Sequence, residues 1–546
     1  MHDVVYEAPG EGSWELESTH FQRPISRFAA NAFRSGFPRG FAEGTARYGM
    51  LVDHMEPAVV NGFIYTKLAM FGDDRPGGAT PDELQARIMT SVRAFAEKQW
   101  RQDLAHWDEI DRPAAINGHL DLQDVDPAAL SDEELAAHLI RCFEHVESMH
   151  YLHHKYTASA TIALGDFLAA AQQWTGAGAG ELMELLRGTS QISTGFAAVE
   201  LDTVADAVCA STTATRTLAE AGPPADTLAT LAADPDVGEQ VQAYLDAVRF
   251  RSVGYDVSEP TAGEMPALLV EAVRAAVAGA TAAPQDEDKL AAVRARVPAE
   301  HLADFDERLG EARLMNRLRD ERGAYSDGWG TGLARRALLE AGHRLVAAGL
   351  LTAAAHAVDA DADELAGLLR GEPGPSADEV AERYDWRTSH ANEDAPPLLG
   401  PVPSPPPPLE MLPPPARRAA MAMGATMANI FGVPDTPNSD TVVHGLAVND
   451  GVYEGTARLV DDSADFGRIQ RGDVLVARMT SPYFNVVLPL LGAIVTDRGG
   501  QLCHAAIVAR EYGIPGIVGT REATRMIPDG ARVRVDGTTG AVRLLG

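Results

Sequence analysis

A run of prolines constrains this chain more than any other feature. From Ala395 to Pro415 it reads Ala-Pro-Pro-Leu-Leu-Gly-Pro-Val-Pro-Ser-Pro-Pro-Pro-Pro-Leu-Glu-Met-Leu-Pro-Pro-Pro. Proline has no amide hydrogen and a fixed φ, so neither a helix interior nor a central strand can run through it. Such a stretch favours extended polyproline II at about 3.1 Å per residue, and roughly twenty residues can reach about 60 Å. A short helix is predicted over Ala416–Ile430, and Gly432-Val-Pro-Asp-Thr-Pro437 makes a second break. The run reads either as an inert tether or as a hinge for a moving domain. We place the boundaries at residues 1–394, 395–437 and 438–546.

The texture differs on the two sides. Ser131-Asp-Glu-Glu134 is a capping box opening a segment with apolar residues at Leu135, Leu139, Cys142 and Val146. Glu181–Leu186, Leu201–Leu218, Val237–Val248, Met265–Ala278 and Leu333–Leu350 also carry helical spacing. Residues 1–394 are therefore predicted to be mostly α, as one bundle or two packed sub-bundles. Downstream, Gly455–Val460, Asp473–Ala477, Ala493–Thr496, Ile514–Gly519 and Ala531–Val535 read as strands, with a helix over Gln501–Tyr512. That pattern is a small α/β domain of ordinary size. The expected fold is multidomain: a large, mostly α region, then a small α/β domain.

Composition narrows the function classes. At 546 residues the chain is long enough for about two to four domains. Its 46 Lys+Arg against 78 Asp+Glu give a net charge of −32. A protein that replaces phosphate counterions needs cationic surface, so nucleic acid is excluded as a partner, and an anionic membrane surface is disfavoured. The apolar run Ala267–Ala283 contains Glu271 and Arg274, which argues against a membrane span. The three cysteines, Cys142, Cys209 and Cys503, are too scattered for a disulfide framework. No secretory signal is evident, and a cytoplasmic location is expected.

The chemistry-bearing stretch is Thr496-Asp-Arg-Gly-Gly-Gln-Leu-Cys-His-Ala-Ala-Ile-Val-Ala-Arg-Glu-Tyr-Gly-Ile-Pro-Gly-Ile-Val-Gly519. A buried strand runs into a loop with Gly499 and Gly500, whose missing side chains allow close approach of a ligand. A helix then opens around His504, where backbone N–H groups favour anions. A histidine there could accept a phosphoryl group. The same spacing also suits a capping-region histidine beside an ordinary turn.

This stretch resembles the phosphohistidine-bearing mobile domain of the PEP-utilising enzymes, which include PEP synthase, pyruvate phosphate dikinase and rifampicin phosphotransferase. Their pattern is Thr-x-x-Gly-Gly-x-x-(Ser or Cys)-His-Ala-Ala-Ile-Val-Ala-Arg-Glu-x-Gly-Ile-Pro, with Cys503 here in the Ser/Cys slot. Gly472-Asp-Val-Leu-Val-Ala-Arg-Met-Thr-Ser-Pro482 resembles the strand and Thr-x-Pro turn of the same domain. The resemblance implies that residues 438–546 are a swivelling domain and that His504 is phosphorylated and passes the group on. Thr496, Arg498, Gly499 and Gly500 would shape its loop, and Cys503 would pack beside it.

Two absences shape the expected reaction. No Walker-type loop accompanies any of the four lysines, and Gly176–Gly180 and Gly328–Gly332 fail the G-x-G-x-x-G pattern. The lysine-poor region 1–430 does not resemble an ATP-grasp module either. ATP and Mg²⁺ are thus expected on a separate ATP-grasp subunit. The chain also stops as the mobile domain closes, without the C-terminal barrel of PEP synthase, which disfavours a PEP/pyruvate-type dikinase component. The remaining order resembles the last parts of rifampicin phosphotransferase and the large subunit of two-component phenol-phosphorylating systems. It implies a helical substrate-binding domain over residues 1–394, a hinge over 395–437 and an organic hydroxyl acceptor, foremost a phenol or alkylphenol. A rifamycin-type antibiotic and a non-catalytic phosphohistidine carrier are the alternatives.

Three further residues are candidates for substrate or phosphate. Glu321-Arg322, in the arginine-rich Arg317–Arg322 stretch, could clamp phosphate, since guanidinium binds its oxygens bidentately; a surface helical ion pair is the other reading. His20, in the Trp14–Pro24 segment, could be a general base or a structural histidine. His145, His150, His153 and His154 invite a metal reading, with His150 and His154 spaced i, i+4. No H-E-x-x-H accompanies them, so no metal site is expected, and they read as residues lining a core or pocket.

Overall fold

The computed structural model describes residues 4–73, 75–190, 197–220, 222–279, 287–403, 409, 412–431, 437–439, 441–461, 463–480, 484 and 487–545. The chain folds as two compact units. The first holds residues 1–160, 254–260 and 322–420; the second holds 161–253, 261–321 and 421–546.

In the first unit, α1 (Arg27–Arg47) starts where the Ser26 hydroxyl accepts the Ala29 N–H. Helix α2 (Asp132–Lys155) opens at the expected capping box: Ser131 Oγ accepts the Glu134 N–H at 3.3 Å, and Glu134 returns the bond to the Ser131 N–H at 2.8 Å. The two helices cross on a glycine stripe. A Cβ on Gly36 would lie 2.2 Å from the Glu147 carbonyl oxygen, and one on Gly40 would lie 2.1 Å from that of Tyr151. Backbone therefore packs directly on backbone, which only glycine permits. Helix α3 (Leu302–Ala324) supplies this unit with its last residues from Arg322, and α4 (Asp327–Ala347) packs along α2.

A four-stranded antiparallel sheet completes the unit: β1 (Trp14–Leu16), β2 (Val52–Val60), β3 (Phe63–Met70) and β4 (Leu398–Leu399), in the order β2-β3-β1-β4. The β2–β3 hairpin interrupts a region whose spacing reads as helical. Its signal is Asn61-Gly62, both at positive φ (51° and 84°), the two-residue turn that matches strand twist. Strand β4 lies inside the expected polyproline run and pairs with β1 through Trp14↔Leu399. It occupies the sheet edge, where neighbouring prolines are tolerated. The helix expected at Ala416–Ile430 runs from Pro414 to Phe431. The other parts of the expected tether, residues 404–408, 410–411 and 432–436, lie outside the described residues.

Arg387 and Asp359 form a buried bidentate pair, with Arg387 Nε donating to Oδ1 at 2.8 Å and Nη2 to Oδ2 at 3.0 Å. Removing one partner strands the other charge in the interior. Asp359→Ala is therefore expected to cost about 3–5 kcal/mol, read as a fall in the urea midpoint of this unit; an unchanged midpoint would mean that water reaches the guanidinium.

The second unit is built on an eight-stranded mixed sheet. Its strands are β5 (Val442–His444), β6 (Leu446–Asn449), β7 (Val452–Val460), β8 (Asp473–Ala477), β9 (Leu491–Thr496), β10 (Gly516–Val518), β11 (Arg532–Asp536) and β12 (Ala541–Leu544). They lie in the order β5-β12-β11-β7-β8-β9-β10-β6, with β7 to β10 parallel. Central strands covered on both faces read as continuous apolar runs, as β8 and β9 do. Val474, Val476, Val495 and Val533 fill one core. Leu475, Ile494 and Val518 join another with α5 (His504–Glu511) and the upstream helices Ala198–Ala210, Gly238–Val248 and Pro266–Val277. The helix expected over Leu201–Leu218 breaks at Ser211, whose hydroxyl caps the next helix through the Ala214 N–H. Among the described residues no helix is long and apolar enough to cross a membrane.

Candidate functional site

The second unit presents His504 as the first residue of α5, after Cys503 in an extended cap conformation. The preceding loop is tied down residue by residue. Thr496 Oγ1 donates to the Arg498 carbonyl at 2.8 Å, and the Arg498 N–H to the Arg478 carbonyl at 2.8 Å. The Gly500 and Leu502 amides donate to Ile430 and Asn429, each at 2.7 Å. Gly499 has φ +101°, and a Cβ there would lie 2.5 Å from Cys503 Sγ, so this position requires glycine. Gly500 is not among the positive-φ residues and makes its contact through its amide. Arg510, on the buried side of α5, donates to the Gln501 carbonyl at 2.7 Å and holds the loop from below. Burial pushes its guanidinium down to about 10.

His504 is half-buried, and its Nδ1 lies 2.9 Å from Thr480 Oγ1. Desolvation pushes the imidazole down to about 3, with Asp320 pulling it up and Arg319 pushing it down. It is therefore neutral at neutral pH. In the tautomer in which Nδ1–H donates to Thr480, the nucleophilic lone pair resides on Nε2. Arg319 Nη2 donates to Asp320 Oδ1 at 3.0 Å, while Arg319 Nη1 is buried without a hydrogen-bond partner among the described residues. An unpaired buried guanidinium nitrogen near a nucleophile is a donor suited to phosphoryl oxygens. Burial raises the Cys503 thiol to about 11, so it stays protonated beside His504. Arg498 is exposed on the loop.

The first unit gathers a separate polar cluster. His20 Nδ1 pairs with Glu17 Oε2 at 3.0 Å, and its ring meets Tyr255 edge-on at 5.0 Å. His153 Nδ1–H donates to Asp327 Oδ2 at 2.9 Å. Arg322 Nη1 donates to the His153 carbonyl at 3.0 Å and Thr157 Oγ1 at 3.1 Å. His145 and His119 form their own pair: His119 Nε2 bonds the Tyr325 carbonyl, which can only accept, so His119 Nδ1 accepts from His145 Nε2–H at 2.8 Å. His150 is buried against Phe33. Among the described residues no three His, Cys, Asp or Glu side chains converge to hold a metal ion.

Of the candidate residues, His20 and Arg322 come together in this cluster, where the Arg322 charge opposes protonation of His20. Glu321 accepts from Arg317 Nη1 at 2.8 Å within the second unit. Thr480, Arg319, Asp320, Glu17, Tyr255 and Asp327 were not anticipated. Thr480 stands in the quoted Thr-x-Pro turn and Glu17 three residues before His20, so both carried a readable signal. Asp327 is 174 residues from His153 and carried none.

Two stretches of the chain match known protein families. Residues 469–540 match the family described as "PEP-utilising enzyme, mobile domain", and residues 152–324 match "Rifampicin phosphotransferase fourth domain". A rifampicin phosphotransferase of a Streptomyces species is 32% identical over 319 residues, covering 56% of this chain and 34% of that protein. A second, from Streptomyces sviceus, is 38% identical over 128 residues, covering 23% and 14%. A probable phosphoenolpyruvate synthase of Pyrococcus abyssi is 40% identical over 110 residues, covering 20% and 13%. The chain thus spans about a third or less of the length of these relatives. Its C-terminal α/β domain corresponds to the mobile domain of the PEP-utilising enzymes, behind helices similar to the fourth domain of rifampicin phosphotransferase.

Proposed function

We propose that this chain is the phosphoryl-carrying and acceptor-binding subunit of a dikinase-type phosphotransferase. The observation that carries the reading is His504 itself: a neutral imidazole, anchored through Nδ1 by Thr480, at a helix start within the matched mobile domain. ATP with its Mg²⁺ binds a separate ATP-grasp subunit. His504 Nε2 attacks the β-phosphorus, AMP leaves, and the resulting pyrophosphoryl-histidine loses phosphate by hydrolysis. The domain over residues 438–546 then swings on the 395–437 segment and delivers the phosphoryl group to an organic hydroxyl, foremost a phenol or alkylphenol. The products are an aryl phosphate, AMP and phosphate. Such transfer needs positioning and charge stabilisation more than covalent help, and Arg319 and Arg322 would supply the charge.

The test is transfer of label from β-³²P-ATP to this chain, with and without a candidate ATP-grasp partner. Acid-labile label is expected only in the presence of the partner, and added phenol is expected to discharge it as phenyl phosphate. Label acquired by this chain alone would sink the split arrangement. The match over 319 residues favours a second reading, a rifamycin-type acceptor. Discharge by rifampicin and not by phenol would select it.

A further inference from the structure

The polar cluster around His153 holds two imidazoles, His20 and His153, each paired to a carboxylate, and only one is set up to receive a proton. We propose that His153, held by Asp327, is the general base that takes the proton of the acceptor hydroxyl. This rests on the reading that the chain transfers phosphate to a hydroxyl.

The geometry fixes the His153 ring from several sides. Nδ1–H donates to Asp327 Oδ2 at 2.9 Å, which puts the lone pair of the neutral ring on Nε2. The ring stacks on His154 at 4.6 Å, and His154 in turn meets Phe37 edge-on at 4.4 Å. Gly323 leaves room for it, since a Cβ there would stand 3.3 Å from His153 Cε1. The carboxylate is shielded and the imidazole is less so, at 8% and 16% side-chain exposure. A base in reach of solute, oriented by a buried carboxylate, is the arrangement that general-base catalysis requires.

His20 was the base expected from the sequence, yet its surroundings push it the other way. Desolvation by its neighbours is the largest influence and lowers its pKa although the side chain is 43% exposed, but the charge and hydrogen bond of Glu17, with the charge of Asp327, leave the group raised. At His153 burial wins over the raising charge of Asp327, with Arg322 and His20 also opposing protonation, and the pKa falls. Asp327 stays ionised, drawn down to about 2 although burial pulls it up, by His153, His150 and Arg322. The groups facing His153 are thus Asp327 from α4, Arg322 from α3, His20 ahead of α1, and His150 and His154 on its own helix. Two titratable groups pushed apart in this way mark an acid and a base. At His20 the protonated form is favoured, which suits it with Arg322 to phosphoryl oxygens, and at His153 the neutral form is favoured.

The transfer step balances. The acceptor oxygen bonds to phosphorus as its proton passes to His153 Nε2. The P–N bond to His504 breaks and its electron pair returns to His504 Nε2, leaving a neutral imidazole that still carries its Nδ1 proton. His153 then releases the proton to water.

The experiment loads the full chain with ³²P through its ATP-grasp partner and follows single-turnover discharge to phenol, and in parallel to rifampicin, across pH. Wild-type discharge is expected to slow as pH falls through the His153 pKa, below the ordinary value of about 6.5. His153→Gln is expected to load label normally but to discharge about 10²–10⁴-fold more slowly, without that pH limb. Asp327→Asn removes a charge that raises the His153 pKa, so its limb should shift to lower pH and its plateau should drop. Discharge of His153→Gln at the wild-type rate would overturn the assignment. Should that variant fail to load, an unshifted limb in Asp327→Asn would overturn it equally. A wild type that loads but is discharged by neither acceptor would instead defeat the hydroxyl-transfer reading itself.

Discussion

His504→Asn is expected to abolish acid-labile labelling of this chain completely, with its folding intact. The imidazole is the first residue of α5, half-buried, and its Nδ1 lies in hydrogen-bond reach of Thr480 Oγ1. Little packing is lost when it is replaced, whereas the uncharged nitrogen lone pair that would take the phosphoryl group disappears. Thr480→Val is a milder change. It removes the hydroxyl that holds Nδ1, worth about 1 kcal/mol, and loading should slow by roughly fivefold. Because burial keeps His504 neutral down to about 3, its own protonation should not limit loading anywhere between about pH 5 and pH 8. Loading that collapsed near pH 6 would show that the imidazole titrates at its ordinary value. Persistent label on His504→Asn would move the phosphoryl carrier to another residue and sink the functional reading.

The mobile domain was legible because its information is local. The order of β8, β9 and α5 follows short apolar runs and a glycine loop that lie within about fifty residues of sequence. The fixed φ of Gly499 and the position of His504 at the helix start both follow from that local pattern. The acceptor-side cluster is the opposite case. Glu17, His153, Tyr255 and the Arg322–Asp327 segment come from four separate stretches, and no spacing rule connects them. Neighbours in sequence misled as well: Glu321 and Arg322 read as one ion pair, but Glu321 binds Arg317 one turn back while Arg322 turns to His153. The β2–β3 hairpin was overlooked for a different reason. Its Asn61-Gly62 turn is a strong signal, but the strand before it, Val-Asp-His-Met-Glu-Pro-Ala-Val-Val, has no clean alternation and carries a proline. Helical texture on both sides then dominated the reading.

Gly36, Gly40 and Gly44, spaced four apart on α1, are the other sequence pattern with physical content, and they carry a large stability effect. Spacing of i, i+4 places all three on one helix face. In the structure that face meets α2 so closely that a Cβ on Gly40 would stand 2.1 Å from the Tyr151 carbonyl oxygen and 2.9 Å from the Lys155 amide nitrogen. Carbon and oxygen atoms in contact need well over 3 Å, and the neighbour is backbone, which cannot rotate away. Gly40→Val must therefore separate the helices by more than an ångström, at a cost of about 3 kcal/mol or more. The contrast is Gly310 on α3, which has no heavy atom near the position of an added Cβ. There Gly310→Ala should stabilise by about 1 kcal/mol through helix propensity alone. Thermal melts of the two variants should shift in opposite directions. The crossing also sets the histidines: Phe33 and Phe37 of α1 pack on His150 and His154 of α2, so prying the helices apart shifts the support under His153. At temperatures where Gly40→Val is still folded, loading of His504 should persist while discharge slows. Equal losses in both steps would show instead that the crossing of α1 and α2 supports the whole chain and not this cluster in particular.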